Sequence, residues 1–479
     1  MAKLLGIDVG TSGCKVLLLD ENGRVLKEAS AEYPLLVPKP LWSEQNPEDW
    51  WNGVQKCLEE IGEPNPDAIG LTGQMHGAVF LDANDEVIRP AILWNDQRTS
   101  EECAQIDSKV GAETVRRITC NPPLTGFQLP KLIWLRNHEP ENFARVQSLL
   151  LPKDYIRFKL SGVKAGEVSD ASGTGIFDVS RRQWSGEMME TLGLSPDVFP
   201  EVFESDVASA KTKEGGLLNA GIPIVGGGGD QAAGAVGTGA VEPGIVSVSL
   251  GTSGVVFTSI EAPEYDSGGA VHTFCHANRS WHAMGVMLSC GGALRWYRDT
   301  FGADKDYNQI SASAAEIAPG AEGLTFLPYL TGERTPHNDP FARASWSGAT
   351  LAHGPAHFAR SVFEGITFGL LDGFQALAKL GARSEEIRVT SGGAKSQFWV
   401  QMIADAFGSP CVTLESDEGP AFGAAILAGV GIGIWPDVST ACRSVVRQKA
   451  RIEPSGVDYG PYYKKYGELY SCLKGWNLG

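Results

Sequence analysis

No run in this 479-residue sequence reaches the about 18 consecutive apolar residues that a membrane-crossing helix requires. The opening segment, MAKLLGIDVGTSG, carries too short an apolar stretch for a secretory signal. Basic residues are also scarce: 40 Lys and Arg against 57 Asp and Glu give a formal charge of −17 and a pI near 5.0. That balance argues against a general nucleic-acid partner or an anionic membrane surface. It leaves room for an anionic ligand, because a local cradle of backbone N–H groups holds phosphate on an acidic protein. The nine cysteines include no C-x-x-C pair, which suits a reducing cytosol better than a disulfide scaffold or a zinc module. The expectation is a soluble cytoplasmic protein that binds neither membrane nor nucleic acid.

Several catalytic signatures are missing too. There is no G-x-x-x-x-G-K-[ST] loop, no H-R-D with D-F-G, and no G-x-S-x-G elbow. His76, His272, His276 and His282 lack the spacing and the supporting thiols of a metal centre.

Glycine, by contrast, is plentiful at 58 residues, a sign of tight turns and close backbone approaches. The length exceeds what one core usually supports, so two domains are expected. A repeat points the same way. Residues 6–19, GIDVGTSGCKVLLL, and 248–257, VSLGTSGVVF, both place G-T-S-G between β-prone apolar runs. Each reads as a strand–turn–strand hairpin. A second pair, DAIGLTGQMHG at 67–77 and EIRVTSGGAKS at 386–396, reads as a strand running into a glycine turn. Turn composition at Val241–Gly244 sets a boundary that divides the chain into 1–242 and 243–479. Helix-period segments at 46–61, 355–380 and 396–408 alternate with strands, giving an α/β fold, and a terminal helix is expected to pack back on the body.

Two glycine-turned hairpins in related halves suggest phosphate turns facing one another across a cleft, a geometry that suits a nucleotide. Asp8 stands just before the first turn, where a carboxylate needs a cation between itself and phosphate. It is a candidate for Mg²⁺, directly or through water, or else caps the turn. The second copy has Ser249 at the equivalent place. In IPIVGGGGDQAAGA, residues 222–235, four glycines end in Asp230. Asp230 reads either as a helix N-cap or as a general base for phosphoryl transfer, with bare glycines letting substrate and phosphate come close to the main chain.

Beyond these readings, the chain resembles the FGGY carbohydrate kinases of the actin/Hsp70/sugar kinase superfamily along essentially its full length. The match rests on GIDVGTSGCKVLLLD at 6–20, GFQLPKLIWLRNH at 126–138, GGGGDQAAGAVG at 226–237, SLGTSGVVF at 249–257 and TSGGAKSQFW at 390–399. Lys131 and Trp134 in K-x-x-W are quite specific. The segments LWSEQNPEDWW, GQMHGA, AILWNDQR, LLPKDYIR and FLPYLTGERTPHNDP resemble the branch that phosphorylates D-xylulose. The resemblance implies two ribonuclease-H-like domains closing on ATP, Mg²⁺ and a sugar. It implies that Asp230 deprotonates the sugar's terminal hydroxyl and that Asp8 assists metal and phosphates. Met75 and His76 would contact the sugar, with Asp230 and Gln231 opposite. Thr11, Ser12, Gly251 and Thr252 would hold phosphates, and Gly393, Ala394 and Gln397 would lie near the adenosine.

Met75–His76 and Gly126 stand where glycerol kinases carry Arg-Glu and Tyr, which points away from glycerol. Gln231 departs from the Asn common in the D-xylulose branch, which bears on the sugar fit rather than on catalysis. Another sugar (D-ribulose, another ketose or a polyol) stays open, as does a non-catalytic nucleotide switch of the actin or chaperone kind. By analogy with relatives a homodimer is expected. Trp50 and Trp51 read as packing residues, Trp42 as a candidate for the sugar side. Glu333, Arg334 and Thr335 suggest no role beyond a loop near the cleft.

Overall fold

The computed structural model describes residues 2–62, 65–302, 304–415 and 418–476. Its framework is two mixed sheets built on one plan. In the first, β1 (Lys3–Val9), β2 (Gly13–Asp20) and β3 (Val25–Glu32) form an antiparallel meander, and β4 (Ala68–Gly73) and β5 (Pro223–Val225) add in parallel beyond β1. In the second, β6 (Gly244–Leu250), β7 (Gly254–Ile260) and β8 (Trp281–Met287) form the meander, and β9 (Ser384–Thr390) and Cys411–Leu414 add in parallel beyond β6. The two G-T-S-G segments are the β1–β2 and β6–β7 turns. The register confirms the internal repeat: Asp8 pairs with Thr72 in one sheet, Ser249 with Thr390 in the other.

The strands form where they do because their apolar residues have somewhere to go on both faces. Leu4, Leu5, Ile7 and Val9 of β1 are all buried, the pattern of a strand covered on two sides. One cover is α1 (Pro47–Ile61), which starts at Asn46, whose side chain accepts from the Glu48 N–H at 3.2 Å, with Pro47 at the first helical position. Trp50, Val54, Cys57, Leu58 and Ile61 lie along its buried stripe, and the Cys57 and Cys14 sulfurs meet at 3.6 Å. Trp50 packs as expected, donating its indole N–H to Gln45 Oε1 at 2.9 Å.

In sequence order α2 (Asp230–Thr238), α3 (Pro355–Ala378), α4 (Gln397–Phe407) and α5 (Gly419–Gly431) follow. The α5 sequence, GPAFGAAILAGVG, is apolar or small on every face, and the helix is buried all round. Although it belongs to the second half of the chain, α5 lies on the first sheet and on α2. A Cβ at Gly6 would meet the Ala421 carbonyl oxygen at 1.9 Å, and one at Gly70 the Ala424 oxygen at 1.8 Å. Backbone therefore touches backbone where the halves join. The terminal helix α6 (Gly460–Leu473) seats Tyr466 in the second core, its hydroxyl 2.7 Å from that of Tyr329. Among the described residues no helix is long and apolar enough to cross a membrane.

Candidate active site

Asp8 lies within β1, paired with Lys15 on one side and Thr72 on the other. It caps no turn. Its Oδ1 is buried without a hydrogen-bond partner among the described residues. Burial, and then the charge of Asp230, push its pKa up to about 7, with Lys15 opposing. Thr72 also pairs with Gly228 on its far side, which brings the start of α2 to the same end of the sheet. There Gly229 takes the N-cap position and Asp230 the first helical one. Burial raises Asp230 to about 6, bonds from the Gln231 main chain and side chain acting the other way. The local choice between cap and free carboxyl is thus settled by one residue: the glycine caps.

The glycine run serves the protein's own backbone. Gly227 has φ +72°, and a Cβ there would meet the Leu71 carbonyl oxygen at 1.8 Å. A Cβ at Gly226 would meet the Glu204 oxygen at 2.4 Å, and one at Gly229 would meet Met75 Cγ at 2.9 Å. The bareness is used in main-chain packing and in seating Met75.

Behind this run sits a buried ionic cluster. Arg157 donates to the Val225 and Gly226 carbonyls at 2.8 and 2.7 Å. Lys153 lies 2.7 Å from Asp154 and 3.4 Å from Asp170, all with side chains at most 1% exposed. Ser169 Oγ accepts from the Gly229 N–H at 3.1 Å and donates to Glu167 at 2.9 Å. Two cations face three carboxyls, and burial pushes Asp170 well above the usual carboxylate range. The segment entering Asp230 is held from behind at both its carbonyls and its last N–H.

In the Met75–His76 pair that the resemblance implies for the sugar, Met75 is buried and His76 takes a left-handed φ of 69°. The His76 ring stacks on Phe127 at 4.8 Å, its Nδ1 lying 2.7 Å from the Gly173 carbonyl. Burial lowers its pKa to about 3. Lys131 of the K-x-x-W motif, fully buried, donates to the His76 and Gly126 carbonyls, each at 2.7 Å. A side chain at Gly126 is excluded, because its Cβ would lie 2.4 Å from the Trp94 carbonyl oxygen. Trp42 does not face this site. It packs edge-on against Trp134 at 5.5 Å with the Arg98 guanidinium 3.5 Å above it.

A cavity of about 580 Å³ opens beside His76 between the halves, with Trp94, Phe127, His272, Glu333 and Arg334 in its wall. Neither Asp230 nor Gln231 lines it. Trp94 links it to the first turn by donating its indole N–H to Thr11 Oγ1 at 2.9 Å. Ser12, next along the turn, is exposed. A second cavity of about 600 Å³ gathers Gly251, Thr252 and Gly393 with Arg295, Tyr307 and Trp399. Arg295 donates to Thr252 Oγ1 at 2.9 Å. Ala394 and Gln397 line a separate recess of about 290 Å³ on the other side of the 391–396 loop. Sequence reasoning passed over Trp94, Arg295 and His272 as site residues. Trp94 stood inside a quoted motif, but nothing in its spacing tied it to Thr11.

Two G-T-S-G turns on duplicated sheets, with a pair of pKa-raised carboxyls at the end of one, are the arrangement expected of a phosphotransferase cleft. The chain matches the FGGY family of carbohydrate kinases, N-terminal domain over residues 3–237 and C-terminal domain over 246–432. It is 39% identical over 498 residues to the xylulose kinase of Bacillus subtilis strain 168, covering 100% of this chain and 98% of that one. With the xylulose kinase of Escherichia coli K12 it shares 43% over 437 residues, 89% of each chain. A crystal structure of a xyloylose kinase from Brucella ovis superposes with a TM-score of 0.92 at 37% identity, covering 99% of this chain and 100% of that one. The protein belongs to the FGGY carbohydrate kinases and is an ATP-dependent sugar-phosphorylating enzyme.

Proposed function

We propose that the protein transfers the terminal phosphoryl group of ATP to the C5 hydroxyl of D-xylulose, giving D-xylulose 5-phosphate and ADP. The observation that carries this reading is the near-full-length likeness, at 39 and 43% identity, to two proteins named xylulose kinase. Met75, His76, Asp230 and Gln231 hold the sugar. Asp230 accepts the hydroxyl proton as the oxygen attacks phosphorus and the bond to the ADP oxygen breaks. Thr11 and Ser12 from one turn, and Gly251 and Thr252 from the other, hold phosphates; Gly393, Ala394 and Gln397 flank the adenosine. Asp8, with a buried and unpartnered Oδ1, suits a Mg²⁺ that takes its other ligands from phosphates and water, as that ion prefers. When bound, Mg²⁺ supplies charge neutralisation for the transferring group.

In this reading residues 1–242 carry the sugar side and 243–479 the ATP side, and the enzyme works in the cytoplasm as a homodimer. The test is a coupled ADP-release assay over D-xylulose, D-ribulose, other ketoses and polyols. D-xylulose is expected to give the highest kcat/KM, and equal turnover of the others would reject the assignment. Asp230→Ala is expected to abolish transfer while retaining ATP binding; sustained sugar phosphorylation would refute the base. A nucleotide switch would instead bind ATP without phosphorylating any sugar.

A further inference from the structure

Across the 580 Å³ cavity from His76, the second half presents the loop of Glu333 and Arg334, two of whose polar groups have no hydrogen-bond partner among the described residues. Glu333 is 2% exposed. Its Oε1 accepts from the Leu288 and Arg334 N–H groups at 2.9 and 2.8 Å, while Oε2 is buried with no hydrogen-bond partner among the described residues. Burial raises this carboxyl to about 8, so it keeps its proton at neutral pH, and with Oε1 occupied by two donors the proton belongs on Oε2. The Arg334 guanidinium makes no hydrogen bond or ion pair among the described residues, yet its charge is felt by both His76 and His272. The loop itself is fixed: Thr335 Oγ1 accepts from the Val286 N–H at 2.9 Å and donates to the Ala270 carbonyl.

The imidazoles opposite have defined tautomers. Asn121 donates its amide N–H groups to the Thr119 and Thr273 carbonyls, each at 2.9 Å, so its Oδ1 is the atom 2.9 Å from His272 Nδ1. His272 Nδ1 therefore carries hydrogen, and Nε2, buried and unpartnered, offers a lone pair. The same logic at His76, whose Nδ1 faces the Gly173 carbonyl, leaves Nε2 as an acceptor. The cavity thus pairs two free acceptors on the rings with two free donors on the 333–334 loop, between aromatic walls of Trp94, Phe127 and Phe274. A sugar hydroxyl can give a proton to either ring. A carbonyl oxygen, which can only accept, matches the loop.

We propose that Arg334, supported by Glu333 and His272, is the specificity-determining group for the non-reacting end of the sugar, donating to the keto oxygen while His272 Nε2 accepts from a neighbouring hydroxyl. The inference rests on the reading of this protein as a ketose kinase, and it assigns the second half of the chain a part in sugar choice. Thr11, Ser12, Gly251 and Thr252 are not in this cavity's lining, and only Trp94, through its bond to Thr11, connects it to the first turn.

The test compares D-xylulose with xylitol, one of the two polyols formed when its carbonyl is reduced, in full-length Arg334→Met, Arg334→Lys and Glu333→Gln enzymes. Arg334→Met breaks no hydrogen bond in the free protein, so its fold, checked by circular dichroism and thermal unfolding, should be retained. Its KM for D-xylulose is expected to rise about tenfold or more, the worth of a charge-assisted bond, with KM for ATP unchanged. Its preference for D-xylulose over xylitol should fall by about the same factor. Arg334→Lys should recover part of both, and Glu333→Gln, which keeps a donor in place, should stay within about threefold of wild type. An unchanged KM and preference in Arg334→Met, beside a wild type that phosphorylates D-xylulose, overturns this inference alone. A change confined to ATP KM or product inhibition also overturns it, placing Arg334 on a phosphate. A wild type inactive on every ketose overturns the underlying reading as well.

Discussion

Asp8 and Asp230 stand at the C-terminal end of the first sheet's central strands, joined through Thr72, which pairs with Asp8 on one side and Gly228 on the other. Neither carboxyl forms an ion pair among the described residues. Burial raises both, to about 7 for Asp8, where the charge of Asp230 adds to it, and to about 6 for Asp230. A general base must be ionised, so kcat/KM is expected to fall about tenfold per pH unit below an apparent pKa near 6, well above the usual carboxylate value of about 4. An acid limb breaking near pH 4 would contradict the raised value.

The same shift has a stability consequence with a definite sign. Because the folded-state pKa of Asp230 is raised to about 6, this carboxyl contributes stability that is full below about pH 4 and lost as pH rises through about 6. In Asp230→Asn that group no longer titrates. The variant's Tm relative to wild type should therefore climb between about pH 4 and about pH 7, even as turnover falls by about 10²–10⁴. Scanning calorimetry across that window measures it, and a constant difference would argue that Asp230 titrates normally when folded.

The sequence made the framework legible because its signals are local. The G-T-S-G turns, the period of α1 and the strand at 67–73 follow from short-range rules, and the repeat survived as matched register at Asp8 and Ser249. The position of α5 on the opposite half's sheet was not legible, since small residues such as Gly6, Gly70 and Gly423 declare a close contact without saying with what. The same limit hid the purpose of the Gly226–Gly229 run, which faces Leu71, Glu204 and Met75 from distant parts of the chain. Trp42 misled because an aromatic before a helix has no signature for the Arg98 and Trp134 that sandwich it.

Arg157 supplies both bonds that hold the Val225 and Gly226 carbonyls, and it faces buried carboxyls at Asp154 and Glu167. Arg157→Leu removes one of the two buried cations and leaves Lys153 alone against three carboxyls, a change that costs about 3–5 kcal/mol. The urea midpoint should drop accordingly. Since the freed segment leads into Asp230, kcat should fall further than the affinity for ATP does. Unfolding curves that overlay wild type would show that the cluster carries no net stabilisation.

Gly423 is where helix α5 from one half meets helix α2, which carries Asp230, from the other. A Cβ at this position would lie 1.8 Å from the Ala233 carbonyl oxygen and 2.8 Å from the Gly237 nitrogen, both main-chain atoms that no side-chain rotation can move aside. In Gly423→Ala the helices must separate, at the cost of about 1–3 kcal/mol typical of overpacking. A shift of about 1 Å at the base costs on the order of 10² in rate, so kcat should drop with stability. Gly467, in α6, is the control, because a Cβ there meets nothing within 4 Å. Gly467→Ala should raise stability by about 0.5–1 kcal/mol through helix propensity alone and leave kcat unchanged. The backbone-contact argument requires opposite signs for these two identical substitutions, and parallel losses in both would remove its basis.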